Sequence, residues 1–123
     1  MKKIHYNKLI RDKIPERIKE SGGELRARRL SAEEYEEELI KKVGEESSGL
    51  LSAKTKKELI SELADVIDVV DEIKKFKKIT TKQIKGAQKE AFMKKGGFKK
   101  RTFLYWASDT GYRTNERTYS KRK

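Results

Sequence analysis

The residues of this chain that could do chemistry are carboxylates in two places: Glu45 with Glu46, and Glu62 with Asp65. Side chains three apart on a helix are neighbours, so Glu62 and Asp65 can turn toward one ion. If the two segments are facing helices, Glu46, Glu62 and Asp65 form an all-oxygen set suited to a hard cation such as Mg2+, with Mn2+ as a second choice. Glu45, one position off that seam, is the candidate for a supporting carboxylate or a base toward water. Softer chemistry is excluded by composition. Zero cysteines remove disulfides, thiolate metal sites and cysteine nucleophiles together, and one histidine is too few for a histidine zinc site.

Positioning these acids requires two helices. Ser31 with Glu34 reads as a capping box. Behind it Tyr35, Leu39, Val43, Glu46 and Leu50 recur at spacings of 4, 4, 3 and 4, one stripe of a helix. Glu46 thus falls on the apolar face, where a carboxylate requires a partner such as a cation. A competing reading stays open. The run Gly44 to Gly49 is poor in helix formers, so the helix could break at Gly44, or the two glycines could bracket a loop that leaves Glu46 exposed. The second helix is marked by Thr55 with Glu58 as another capping box and by Leu59, Leu63, Val66, Ile67, Val70 and Ile73 along one face. Glu62 lies at the edge of that face, Glu58 and Asp65 just beyond it, and Asp68 further round.

The remaining segments are less regular. Pro15 to Glu20 predicts a short helix stopped by Gly22-Gly23, and Glu24 to Leu30 an exposed extended segment or strand. A third long helix is expected from Thr80 or Thr81 through Lys95, with Ile84, Ala87, Ala91 and Phe92 as a modest apolar side and Gly96-Gly97 as its stop. Phe98 to Trp106 alternates bulky and basic residues, fitting a short strand or a docked arm. Past Ala107 a basic, loosely held tail is expected. The fold class is all-α: an antiparallel helical bundle over residues 1–107 with a basic C-terminal arm over 108–123.

At 123 residues, 34% apolar and 42% charged, the chain supports one thin core. Its net charge of +12 is unevenly spread. Residues 1–30 carry 10 Lys/Arg against 4 Asp/Glu, residues 31–76 carry 7 against 13, and residues 77–123 carry 15 against 3. An acidic middle between basic flanks suits a cation site flanked by groups that attract polyanions. No apolar run approaches the roughly 20 residues that cross a bilayer, and the start lacks the apolar stretch of a secretory signal. A cytoplasmic protein with no membrane partner is the expectation.

Four stretches in order resemble the small MazG-like, all-α nucleoside triphosphate pyrophosphohydrolases, in particular the phosphoribosyl-ATP pyrophosphohydrolase-like branch. They are Tyr6 to Pro15, the Glu45-Glu46 helix, Glu58 to Val69, and Gly96 to Arg101. The resemblance implies an antiparallel bundle, dimeric or higher, that hydrolyses the α–β bond of a nucleotide to a monophosphate and pyrophosphate with Mg2+. The family's metal signature is Glu-Glu-x-x-Glu on one helix and Glu-x-x-Asp on the next. Glu45 and Glu46 match the first two positions and Glu62 and Asp65 the second half, whereas the last acid of the first motif falls on Gly49. Asp68 stands where relatives often have Glu. On this reading Glu46, Glu62 and Asp65 hold the metal and Glu45 is the catalytic carboxylate. Lys8, Arg11, Lys13, Lys95, Lys99 and Arg101 contact substrate phosphates.

A second class of function competes. Tyr105, Trp106, Tyr112, Arg113, Arg117, Tyr119, Lys121, Arg122 and Lys123 interleave aromatics with cations, as single-strand binders do. No helix-turn-helix, zinc finger or RNP-type signature accompanies them. An inactive member that binds nucleic acid or a partner through its basic surface is the alternative.

Overall fold

The computed structural model describes residues 2–112, and among them every regular element is a helix. These are α1 (Ile14–Glu20), α2 (Ala32–Ser52), α3 (Lys56–Lys77) and α4 (Thr81–Lys95). The all-α class expected from the sequence is therefore observed, while the tail residues from 113 on lie outside the described residues. Residues 24–30 and 101–107 join no strand. The chain divides into two compact units, one covering residues 1–87 and the other starting at Gln88. No described helix is long and apolar enough to cross a membrane.

Each long helix begins where its side chains can satisfy free backbone donors. Ser31 Oγ accepts from the Glu34 N–H at 3.1 Å, and the Glu34 carboxylate accepts from the Ser31 N–H at 3.1 Å, a complete capping box. At α3, Thr55 Oγ1 accepts from the Glu58 N–H at 3.1 Å, but the Glu58 carboxylate accepts from Lys54 N–H instead of closing the box on Thr55. Lys78 ends α3 in the left-handed region at φ 56°, with Ile79 N–H donating to Lys74 O at 2.8 Å. Thr80 and Gln83 then cap α4 reciprocally.

Helices α2 and α3 pack against each other and are the only described pair that does. They run antiparallel. Tyr35 stacks edge-on with Phe76 at 5.1 Å, Lys77 pairs with Glu36 at 2.9 Å, and Gly49 lies opposite Glu62 at the other end. Leu39 and Val69 are the buried residues between them, and Tyr35, Val43, Glu46 and Leu50 are half-buried along the α2 stripe that the spacing predicts.

The expected α3 stripe is corrected. Val66 and Ile73 do face inward, around a Val69 that the stripe omits, but Leu59, Leu63, Ile67 and Val70 are 39–55% exposed. The apolar arc of α3 is wider than one neighbouring helix can cover. Helix α4 contributes no buried residue, and its expected apolar side at Ile84 and Phe92 is open.

Candidate metal centre

Glu46 comes from α2 and Glu62 and Asp65 from α3. One carboxylate oxygen of each lies within 4.8 Å of the others, and all three residues are half-buried. The open question of a break at Gly44 is closed, because α2 continues through Gly44 and Gly49 to Ser52. Packing of Val43 and Leu50 against α3 outweighs the low helix propensity of the Gly-Ser run, and Ser48 Oγ donates back to Gly44 O at 3.1 Å. Continuity is what turns Glu46 into the seam.

Gly49 has a local role. A β-carbon there would lie 2.9 Å from Glu62 Cδ and would overlap Oε2. The absence of a side chain makes the cradle in which the Glu62 carboxylate rests against α2. Glu62 makes no hydrogen bond or ion pair among the described residues, in contrast to the acids around it.

Those neighbours are paired with cations. Arg11 Nη2 donates to Asp65 Oδ1 at 3.1 Å and to Asp68 Oδ2 at 2.9 Å. Lys8 Nζ donates to Glu45 Oε1 at 2.7 Å, and Lys42 Nζ to the same oxygen at 3.1 Å, with Glu46 at 3.6 Å. The Lys8 hydrogen bond, opposed by partial burial and assisted by Lys42, holds the Glu45 carboxyl below its ordinary value. The same bond raises Lys8, and the hydrogen bond to Asp68 raises Arg11. Five carboxylates (Glu45, Glu46, Glu62, Asp65, Asp68) meet three cations (Lys8, Arg11, Lys42), leaving two negative charges. A divalent cation carries the opposite charge.

No family model, curated protein or solved structure matches this chain. Its chemistry is therefore read from the donor set itself. Three carboxylates from two helices are an all-oxygen donor set that could hold a hard metal ion, with water or phosphate in the remaining positions. Beside the triad lies a depression of about 280 Å3 lined by the apolar Leu9, Ile10, Leu39 and Val69 with Tyr35, and by the charged Arg11, Asp12, Lys42, Glu46, Asp68 and Glu72. Burial, and then the charge of Glu72, raise the Tyr35 phenol, which donates to Glu72 at 3.4 Å.

The other sequence candidates divide. Lys8 and Arg11 reach the acids directly, whereas Lys13 precedes α1 and enters none of the ion pairs. In the second unit Lys95 and Arg101 line a depression of about 320 Å3, Lys99 does not, and Lys100, absent from the sequence candidates, does. Lys42 is the other residue missed. Its side chain is 15% exposed, and its signal was present in its position three and four residues before Glu45 and Glu46.

Proposed function

We propose that the chain is a Mg2+-dependent nucleotide pyrophosphohydrolase of the MazG-like all-α type, cleaving the α–β phosphoanhydride to a monophosphate and pyrophosphate. The observation that carries this is the convergence of Glu46, Glu62 and Asp65 from two antiparallel helices onto one small volume. The four stretches that resemble the family support the same reading.

The residues divide the work. Glu46, Glu62 and Asp65 would hold the ion, which supplies charge neutralisation along the phosphates. Arg11, now spanning Asp65 and Asp68, and Lys8, now on Glu45, are within reach of any phosphate that enters beside those acids. They exchange carboxylate for phosphate partners at little electrostatic cost. Glu45 Oε1 is engaged by Lys8 and Lys42, which leaves Oε2 to orient a water toward the α-phosphorus. Leu39, Val69 and Tyr35 give the depression an apolar portion against which a base could rest, beside its charged lining. Gly49 fits the role of making room for Glu62, so a smaller ligand set is accommodated where relatives carry one more acid.

The half-exposed stripe Leu59, Leu63, Ile67 and Val70 supports a homo-oligomer, a dimer or higher. A single seam with two buried residues leaves it uncovered, and a second copy of the same stripe is an apolar surface of matching length.

The test is pyrophosphate release from a panel of nucleoside triphosphates, ordinary and damaged, with Mg2+ or Mn2+, against a Glu62→Gln control. Turnover that vanishes in the control is the expected result. Absence of turnover together with absence of Mg2+ or Mn2+ binding by calorimetry overturns the proposal.

A further inference from the structure

We propose that the segment from Lys95 to Trp106 is a binding site for single-stranded nucleic acid, separate in chemistry from the acid site. The starting observation is a charge that the chain does not answer. From Ala91 to Ser108 there is no Asp or Glu, while Lys94, Lys95, Lys99, Lys100 and Arg101 all fall in that stretch. Lys94 pairs with Glu90. Lys95, Lys99, Lys100 and Arg101 have no side-chain hydrogen bond or ion pair among the described residues.

Three of these cations converge. Lys95, Lys100 and Arg101, with Gly97, Phe98 and Thr102, line one depression of about 320 Å3. The backbone is bent to make it: Gly96 takes φ +78°, Arg101 takes φ 54°, and Arg101 N–H donates to Phe98 O at 3.0 Å. Like charges held around a concavity repel one another until an anion enters, and phosphate is the anion that Lys and Arg together suit.

The aromatics decide which phosphate. Phe98 is 96% exposed, and Phe103, Tyr105 and Trp106 are 77–87% exposed directly after the cations. Phe103 and Tyr105 meet edge-to-face at 5.0 Å, a contact that leaves both rings largely open to solvent. A mononucleotide would use the depression and one ring. A strand uses the depression for its backbone and the successive rings for its bases, at about 1–3 kcal/mol per stacked base. A membrane would ask for aromatic and basic residues segregated on two faces of a helix, and past Lys95, where α4 ends, this segment is not helical.

Trp106 is the only tryptophan in the chain, so its fluorescence reports on this segment alone. The experiment titrates the full-length protein with a 12-nucleotide oligothymidylate, following Trp106 emission and the anisotropy of a labelled oligonucleotide. Quenching is expected. With four cations on phosphates and a slope of about −0.7 per phosphate, affinity should fall about 50-fold between 50 and 200 mM salt. Lys100→Ala with Arg101→Ala should weaken binding about tenfold or more and flatten the salt slope, and Trp106→Ala should weaken it about tenfold. Glu62→Gln should bind the oligonucleotide as the unaltered protein does, which separates this site from the proposed hydrolytic one. The inference is overturned if emission is unmoved by the oligonucleotide, or if a nucleoside triphosphate competes as well as the 12-mer. It is equally overturned if anionic vesicles bind as tightly, or if emission changes with protein concentration alone, the mark of a second copy covering the segment.

Discussion

Lys8, Arg11 and Lys42 each end on a carboxylate, whereas Lys95, Lys100 and Arg101 end on none. The residue types are the same and the electrostatic situations are opposite. Around the Glu46, Glu62 and Asp65 triad the five acids outnumber their three cations by two, so what is missing is positive charge. In the second unit the cations outnumber any acid near them in sequence, so what is missing is negative charge. A basic protein is thus two proposed binders: its acid seam for a divalent cation and its aromatic segment for phosphates. A net charge of +12 conceals the first of these entirely.

The strongest way to break this comparison is to neutralise one side and read both functions. Glu62→Gln removes a proposed ligand without breaking an ion pair, since Glu62 has none among the described residues, so helicity by circular dichroism should be unchanged. Turnover should fall about 100-fold or more, as loss of an interaction with the reacting charge does. If Lys100→Ala with Arg101→Ala abolishes turnover to the same degree, the two regions are one site and the distinction fails.

A second test concerns assembly. Ile67 is 55% exposed on the face of α3 away from α2. If the proposed oligomer forms through this face, Ile67→Lys should convert it to a monomer by light scattering, because a charge in an apolar contact must be desolvated. An unchanged mass would place the contact between copies elsewhere.

Gly49→Ala sharpens the account of the acid seam because it should move two quantities in opposite directions. Alanine in a helix is favoured over glycine by up to about 1 kcal/mol, and the only obstruction is the mobile end of Glu62. Thermal stability should therefore hold or rise. Mn2+ affinity, measured by electron paramagnetic resonance, should fall about tenfold, as displacing a supporting contact of a metal site does. A variant that binds Mn2+ as before would mean that the space at Gly49 does not set the position of the Glu62 carboxylate.

Much of α2 was legible. Its capping box and its stripe ending in Glu46 and Leu50 follow from spacing alone, and packing then carried the helix across a Gly-Ser run that propensity disfavours. Helix α3 was legible as a helix but not in orientation. Val66, Val69, Val70 and Ile73 offer two overlapping faces, and only the position of α2 decides that Val69 is buried and Val70 is not. The triad could be named because residues three apart share a face. The partner of Asp65 and Asp68 could not, because Arg11 lies 54 and 57 residues away along the chain. Local periodicity carries no information about such a pairing. Set against the motif of the family the chain resembles, Gly49 reads as a missing ligand, and only three-dimensional proximity shows that the space it leaves is filled by Glu62.

The smallest expected effect is a pH dependence, and it belongs to the paired side of the comparison. Arg28 donates two hydrogen bonds to Glu34, at 3.0 and 2.6 Å, while Glu34 also closes the α2 cap on the Ser31 N–H. The Arg28 bonds first, and the backbone bond second, lower the Glu34 carboxyl to about 2 from an ordinary value of 4.5. A carboxyl depressed by folding binds its proton more readily in the unfolded chain. Its contribution is thus fully present above pH 4.5 and is lost as pH falls toward 2. Both partners are largely exposed, so screening keeps the effect small, and molar salt should remove most of it. Glu34→Gln keeps an acceptor for the Ser31 N–H but has no charge to lose. The acid limb of its thermal stability should be flatter than that of the unaltered protein between pH 4.5 and 2, with the curves parallel above that range. Parallel curves throughout would show that the cap acts through its hydrogen bond alone. The 91–108 segment has no carboxyl to titrate, so none of this acid sensitivity can come from it.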